Sequence, residues 1–196
     1  FLEISVFFIV LFLIFFTSLS EFNLIFKNIF KKKKFLHSLF FFISLIYLII
    51  FSTILWIYLL PYNASNKLTV IFLLIICSST DIGGYVFGKV IGGKKFTKIS
   101  PNKTYSGILG SFIFASSFGC TFFILFKNYI LIQYNIFVMI FIVSILSQIG
   151  DLLISFLKRK AKMKDTGSIL PGHGGILDRV DGILLALPLG IKLFYL

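Results

Sequence analysis

The chain has 196 residues, 58% of them hydrophobic, 18% aromatic and only 13% charged, with a mean hydropathy of +1.03. Soluble domains carry about a quarter charged residues, so this composition cannot cover a water-facing surface and excludes a soluble globular enzyme. The formal net charge of +12, from 19 Lys and Arg against 7 Asp and Glu, fits oriented membrane helices and contact with anionic headgroups or phosphates rather than nucleic acid.

A bilayer core of about 30 Å takes about 20 mainly apolar residues per helix. In chain order, residues 1–19, 35–60, 68–91, 107–126, 129–149 and 179–196 are predicted as spans. The first is too long and too aromatic for a signal peptide and lacks a cationic start. Residue 1 is Phe rather than Met, so a natural start upstream is expected. Cations fall in alternate connections. Segment 21–34 holds Lys27 and Lys31 to Lys34, the last four reading as a stop-transfer and headgroup anchor. Segment 89–106 holds Lys89, Lys94, Lys95, Lys98 and Lys103, and segment 151–179 holds Lys158, Arg159, Lys160, Lys162, Lys164 and Arg179. The positive-inside rule places that side in the cytoplasm. The expectation is an all-α, polytopic integral membrane protein with about six transmembrane helices and cytoplasmic catalytic loops. Residues 1–80 are expected to be N-terminal helices and 81–196 a catalytic membrane domain. Cys77 and Cys120 lie in apolar runs without metal or disulfide spacing.

The acids are few and clustered. Asp81, Asp151, Asp165, Asp178 and Asp181 lie in or beside the second and third cationic segments, whereas Glu3 and Glu21 are expected outside the site. Acids in or next to spans are costly and point to function. From Gly150 onward the spacing predicts a helix with Asp151, Ser155, Lys158, Arg159 and Lys162 on one face. The run Lys164 to Gly175 follows, with glycines whose backbone N–H groups can approach an anion. Asp178 and Asp181 are three apart on the first turns of the last helix, so both can face one ion. Carboxylate oxygens suit Mg²⁺, which completes its shell with phosphates and water. Lys158, Arg159, Lys164 and Arg179 suit phosphate oxygens, the arginines as bidentate forks.

Upstream, Gly84, Gly88 and Gly92 recur every four residues, the pattern of a close helix-packing face. The stretch Ser100-Pro101-Asn102-Lys103-Thr104 offers a cation and two hydroxyls on a stiff turn, suited to a nucleotide or a headgroup. His173, between glycines, is expected to contact a phosphate or base. No Ser-His-Asp arrangement, P-loop or HExxH occurs in the sequence, so nucleophilic protein catalysis and zinc hydrolysis lack support.

Ser155-x-Leu157-Lys158-Arg159-x4-Lys164-Asp165-x-Gly167-x2-Leu170-Pro171-x-His173-Gly174-Gly175-Ile176-x-Asp178-Arg179-Val180-Asp181 resembles the signature of the phosphatidate cytidylyltransferase (CDP-diacylglycerol synthase) family. Every fixed residue of that signature is present. Asp81–Gly88 and Ser100–Thr104 are similar to the family's upstream elements, so the resemblance runs from Asp81 to the end. Ile154 and Ser106 depart from it, where many members carry Glu and Glu or Gln.

The resemblance implies that CTP and phosphatidic acid give CDP-diacylglycerol and pyrophosphate in phospholipid biosynthesis, with Mg²⁺ and a second, monovalent cation such as K⁺. It implies Asp151 and Asp178 at the metal, with Asp181 adjacent. Catalysis is then expected from Asp151, Lys158, Arg159, Lys164, Asp165, Asp178, Arg179 and Asp181. Asp165 would orient Lys164 or help a second metal. Substrate contacts are expected from Asp81, Ser100, Lys103, Thr104, Ser155, His173, Gly174 and Gly175. The expected surroundings are membrane lipids and a bacterial inner membrane, with no nucleic acid and with a homodimer left open. A cation transporter would place its acids at mid-span rather than at the cytoplasmic ends. A CDP-alcohol phosphotransferase would show an acidic pattern that is absent here.

Overall fold

The apolar runs fold as six α-helices in a computed structural model that describes residues 2–59, 64–97, 99–130, 135–168 and 174–194, with side chains from Ser5 onward. They are α1 (Leu2–Ile29), α2 (Lys34–Leu59), α3 (Ala64–Val90), α4 (Tyr105–Phe126), α5 (Ile136–Lys160) and α6 (Leu177–Phe194). The only extended pairing among the described residues is an isolated bridge between Lys95 and Thr104, so the all-α expectation holds. Five helices, α1 to α5, are long and apolar enough to cross a membrane. The sixth has 18 residues and carries Asp178, Arg179, Asp181 and Lys192, and it continues through Pro188. The protein is therefore a polytopic membrane protein.

Helix boundaries differ from the expected spans where local chemistry overrides hydropathy. Residues 21–29, expected in a connection, continue α1 because Phe22, Ile25 and Phe26 keep an apolar stripe at helical spacing and are buried. Glu21 is thereby carried into a helix. The start of α5 is set by Asn135, whose side chain accepts from Phe137 N at 2.9 Å. Its end is set at Lys162. Met163 N donates to Lys158 O and Lys162 N to Arg159 O, and Lys162 has φ +58. That is the Schellman pattern, with lysine where glycine is usual. Lys162 therefore leaves the helical face on which it was expected to join Asp151 and Lys158.

The chain forms two compact units. One comprises Phe1–Leu60 and Ile154–Val180. Here α1 and α2 meet through rings, Phe26 and Phe30 both packing on Phe40. Phe22, Ile25, Leu48, Phe51, Ile154 and Leu177 are buried. The outward faces carry Phe8, Phe12, Leu13, Phe16, Phe42 and Ile46, which suit hydrocarbon rather than water.

The other unit comprises Pro61–Leu153 and Asp181–Leu196. Its core is Phe72, Leu73 and Ile76 of α3, Ala115 of α4, Met139, Ile140 and Val143 of α5, and Leu184 and Leu187 of α6. α3 and α4 approach at backbone distance. A Cβ on Gly110 would lie 2.8 Å from Gly83 O, and one on Gly107 would lie 2.8 Å from Gly84 O. Gly84 and Gly88 thus form the packing face the four-residue spacing predicts. Gly92 does not; it lies beyond α3 with φ +64 and open space around it, a turn residue. Ser111 Oγ donates to Thr80 O at 2.8 Å, and Thr80 Oγ1 to Ser144 Oγ at 2.9 Å. These bonds tie α3 to α4 and α5 within an apolar interior.

Candidate active site

In the second unit, the acids are gathered by a close crossing of α5 and α6. A Cβ on Gly150 would stand 2.5 Å from Asp181 O and 3.1 Å from Gly182 Cα. One on Gly182 would stand 2.6 Å from Ser147 Oγ. Each glycine is the sequence neighbour of an aspartate, so backbone contact brings Asp151 and Asp181 side by side. Their side chains are close enough for the charge of Asp151 to act on Asp181, and the charge of Asp81 on α3 acts on it as well. Asp151 likewise acts on Asp81. Lys103 Nζ lies 2.5 Å from Asp151 Oδ2 and reaches Gln148 O at 3.5 Å. Gly182 N donates to Asp181 Oδ1 at 2.8 Å.

Three carboxylates against one ammonium make a negative cluster that attracts a cation, since crowded like charges are relieved by a counter-ion. Among the described residues, no three His, Cys, Asp or Glu side chains are arranged to hold a metal ion by themselves. Mg²⁺ does not require such a cage; it takes one or two carboxylates and completes its shell with substrate phosphates and water. The hard oxygen donors therefore fit an ion whose coordination the substrate finishes.

The turn that delivers Lys103 is built by its own backbone. Phe96 N donates to Lys103 O at 2.8 Å, Lys103 N to Ser100 O at 3.1 Å, and Tyr105 N to Lys94 O at 3.2 Å. Thr104 caps α4, its hydroxyl accepting from Gly107 N at 3.1 Å. Ser106, one of the departures from the family pattern, donates to Gly92 O. The hydroxyl of Thr104, expected to meet substrate, thus has a structural partner. Ser100 lies on the same turn, half-buried.

In the first unit, Asp178 opens α6 and gathers four donors. Lys158 Nζ lies 2.5 Å from Oδ1. Oδ2 accepts from Thr166 N at 2.8 Å, Thr166 Oγ1 at 3.0 Å and Gly175 N at 3.1 Å. Burial alone would raise the Asp178 pKa, but the Lys158 ammonium and the backbone N–H groups of Thr166 and Gly175 outweigh it and hold the carboxyl below its usual range. It is ionised at neutral pH. Gly174 has φ +83, and a Cβ there would stand 2.9 Å from Asp178 Oδ2 and 3.4 Å from Asp165 Cβ. Only glycine suits that backbone. The Gly175 N–H, expected to be free for an anion, is donated to Asp178.

Sequence reasoning set Glu21 aside, and the structure places it in this cluster. It is 3% exposed. Its carboxylate accepts from Thr166 Oγ1 at 2.6 Å, Ile176 N at 2.9 Å and Leu177 N at 2.8 Å. The available signal was an acid followed by Phe22, Ile25 and Phe26 at helical spacing, which keeps it on a helix instead of in a connection.

The structure thus brings Asp81, Lys103, Asp151 and Asp181 into one cluster, and Glu21, Lys158, Thr166, Gly175 and Asp178 into another. Arg159, Lys164, Asp165 and Arg179 are exposed and Ser155 is buried. His173 lies outside the described residues.

A sequence model of the cytidylyltransferase family matches residues 1–196. The chain belongs to the cytidylyltransferase family. Among similar curated proteins, a phosphatidate cytidylyltransferase of Brucella suis is 42% identical over 121 residues, 60% of this chain and 43% of that protein. One from Helicobacter pylori is 37% identical over 139 residues, covering 69% of this chain and 50% of its own length. One from Bacillus subtilis is 42% identical over 115 residues, with shares of 58% and 42%. The matched stretches span half or less of these relatives.

Proposed function

We propose that this cytidylyltransferase-family chain transfers the cytidylyl group of CTP to phosphatidic acid, giving CDP-diacylglycerol and pyrophosphate. The observation that carries the reading is the unbroken Ser155–Asp181 signature, on a chain whose relatives bear the name phosphatidate cytidylyltransferase. An oxygen of the lipid phosphate forms a bond to the α-phosphorus of CTP. The bond from that phosphorus to the bridging oxygen breaks, and pyrophosphate leaves with the electron pair. The attacking oxygen is already ionised, so no strong protein base is needed. The barrier lies in bringing two polyanions together, and cations lower it by neutralisation and alignment.

Arg159, Lys164 and Arg179 are exposed cations that can take CTP phosphates, and Lys158 is held at the same loop by Asp178. When bound, Mg²⁺ supplies charge neutralisation at the transferring phosphoryl group. Asp151 and Asp181, with Asp81 beside them, would hold it, and a monovalent cation such as K⁺ fits the same acidic surroundings. Asp178, expected at the metal, has its oxygens on Lys158, Thr166 and Gly175. Lys103 offsets the charge of Asp151.

Membranes containing the chain, given radiolabelled CTP, phosphatidic acid and Mg²⁺, are expected to accumulate label in a CDP-lipid, with one pyrophosphate released per lipid. Diacylglycerol in place of phosphatidic acid should yield none. Membranes with verified insertion but no labelled lipid would overturn the reading.

The lysine-rich connections further support an inner-membrane enzyme whose site faces the cytoplasm. Single cysteines replacing Lys33, Lys95 or Lys162, in a background free of Cys77 and Cys120, are expected to resist an impermeant thiol reagent in intact cells. One replacing Asn128 should react. Labelling at Lys162 from outside would reverse the orientation.

A further inference from the structure

We infer that Glu21 is a positioning residue: from the first helix it anchors the signature loop and the first turn of α6, and through Thr166 it fixes the Asp178–Lys158 pair that faces CTP. The inference rests on the proposed reaction for its substrate.

Four backbone N–H groups in this stretch, those of Thr166, Gly175, Ile176 and Leu177, all donate to just two carboxylates, Asp178 and Glu21. The start of a helix leaves such donors unsatisfied within the helix itself. A capping side chain normally answers them. The residue at that place is Ile176, which has no acceptor, and Glu21 supplies one from α1 instead. A carboxylate at a helix N-terminus also suits the helix dipole. Glu21 therefore occupies the position at which a phosphate would otherwise be drawn to α6, which leaves CTP phosphates to the side-chain cations.

Thr166 links the two acids. Its hydroxyl oxygen lies 2.6 Å from Glu21 Oε2 and 3.0 Å from Asp178 Oδ2, yet it carries one proton. The two acids share that proton, the shorter contact favouring Glu21, while Thr166 N donates to Asp178 at 2.8 Å. Thr166 has no exposed surface. Space is equally tight around Glu21: a Cβ on Gly167 would stand 2.9 Å from its Oε1, and one on Gly175 would overlap Thr166 Oγ1 and the Glu21 carboxylate. Glu21 thus fixes Thr166, Thr166 helps fix Asp178, and Asp178 holds Lys158 at 2.5 Å.

Glu21→Gln keeps the volume but turns a donor toward N–H groups. Thr166→Val keeps the shape and removes the shared hydroxyl. In the full chain each is expected to raise KM for CTP about tenfold, the cost of losing a charged hydrogen bond. The kcat and the dependence on phosphatidic acid should stay within about twofold of the parent. The double variant should be no worse than the worse single one, because both changes break one chain of contacts. Amide hydrogen exchange in the segment 174–180 should quicken in both variants, and this arm is read without turnover. If Glu21→Gln does not accumulate, Thr166→Val alone decides through the same KM and exchange measurements. Unchanged exchange, a fall confined to kcat, or effects that multiply independently would overturn the positioning role. A parent chain that makes no CDP-lipid from CTP would instead count against the proposed reaction, and exchange would still decide the role of Glu21.

Discussion

Asp151→Asn and Asp181→Asn are each expected to lower CDP-diacylglycerol formation by roughly a hundredfold and to raise the Mg²⁺ concentration needed for the remainder. Both substitutions keep side-chain volume and remove one negative charge from the cluster of Asp81, Asp151 and Asp181. The carboxylates repel one another, and a cation bound among them would offset that repulsion. Asp151→Asn also takes the charge partner from Lys103, 2.5 Å away, whereas Asp181→Asn leaves that pair intact. Asp151→Asn should therefore be the less thermostable of the two in detergent, although both share the shifted Mg²⁺ curve. Lys127→Gln, at the exposed end of α4, should leave the curve unchanged. Rate measured against Mg²⁺ for all three decides the point. Aspartate variants that follow the parent curve would remove Asp151 and Asp181 from the metal site.

Helix number and the concentration of acids beside apolar runs were legible because each rests on a local signal. Length and hydropathy define a span, and an acid beside an apolar run stands out against it. Gly84 and Gly88 announced the α3–α4 contact because a four-residue period keeps one face of a helix bare. Gly92 shares the period but lies past the helix end, where the period has no meaning. The partners of Asp151 were not legible. Spacing allowed Asp178 and Asp181 to face one ion, but a three-residue interval does not fix which acid meets which cation. Asp178 takes Lys158, and Asp181 meets Asp151 and Asp81, because glycines at 150 and 182 let two backbones touch. Glu21 was missed for a related reason. Its three donors come from residues 166, 176 and 177, so its role depends on contacts far apart in the chain. No sequence spacing encodes them. Thr104 carried a sequence signal with two meanings, and capping α4 is the one the structure displays.

Gly150→Ala is expected to reduce activity about as severely as loss of an aspartate, although it removes no charge and no hydrogen-bonding group. The added methyl would stand 2.5 Å from Asp181 O and 3.1 Å from Gly182 Cα, both backbone atoms that cannot rotate away. α5 and α6 must separate at the point where Asp151 and Asp181 branch, and overpacking of this kind costs about 1–3 kcal/mol. A shift of 1 Å in a positioned group is enough to cost about a hundredfold in rate. Gly119→Ala provides the comparison within the same unit. Its methyl would meet Ile140 Cδ1 at 2.9 Å, the far end of a flexible side chain that can change rotamer. That variant should therefore keep activity within about threefold of the parent while losing a similar or smaller amount of stability. The measurement is thermal stability in detergent beside initial rate at saturating Mg²⁺. If Gly150→Ala lowers rate and stability only as Gly119→Ala does, close approach of the two backbones is a matter of packing and does not set the spacing of Asp151 and Asp181. If its rate falls far beyond its loss of stability, the helix crossing itself holds the acids in register for the cation.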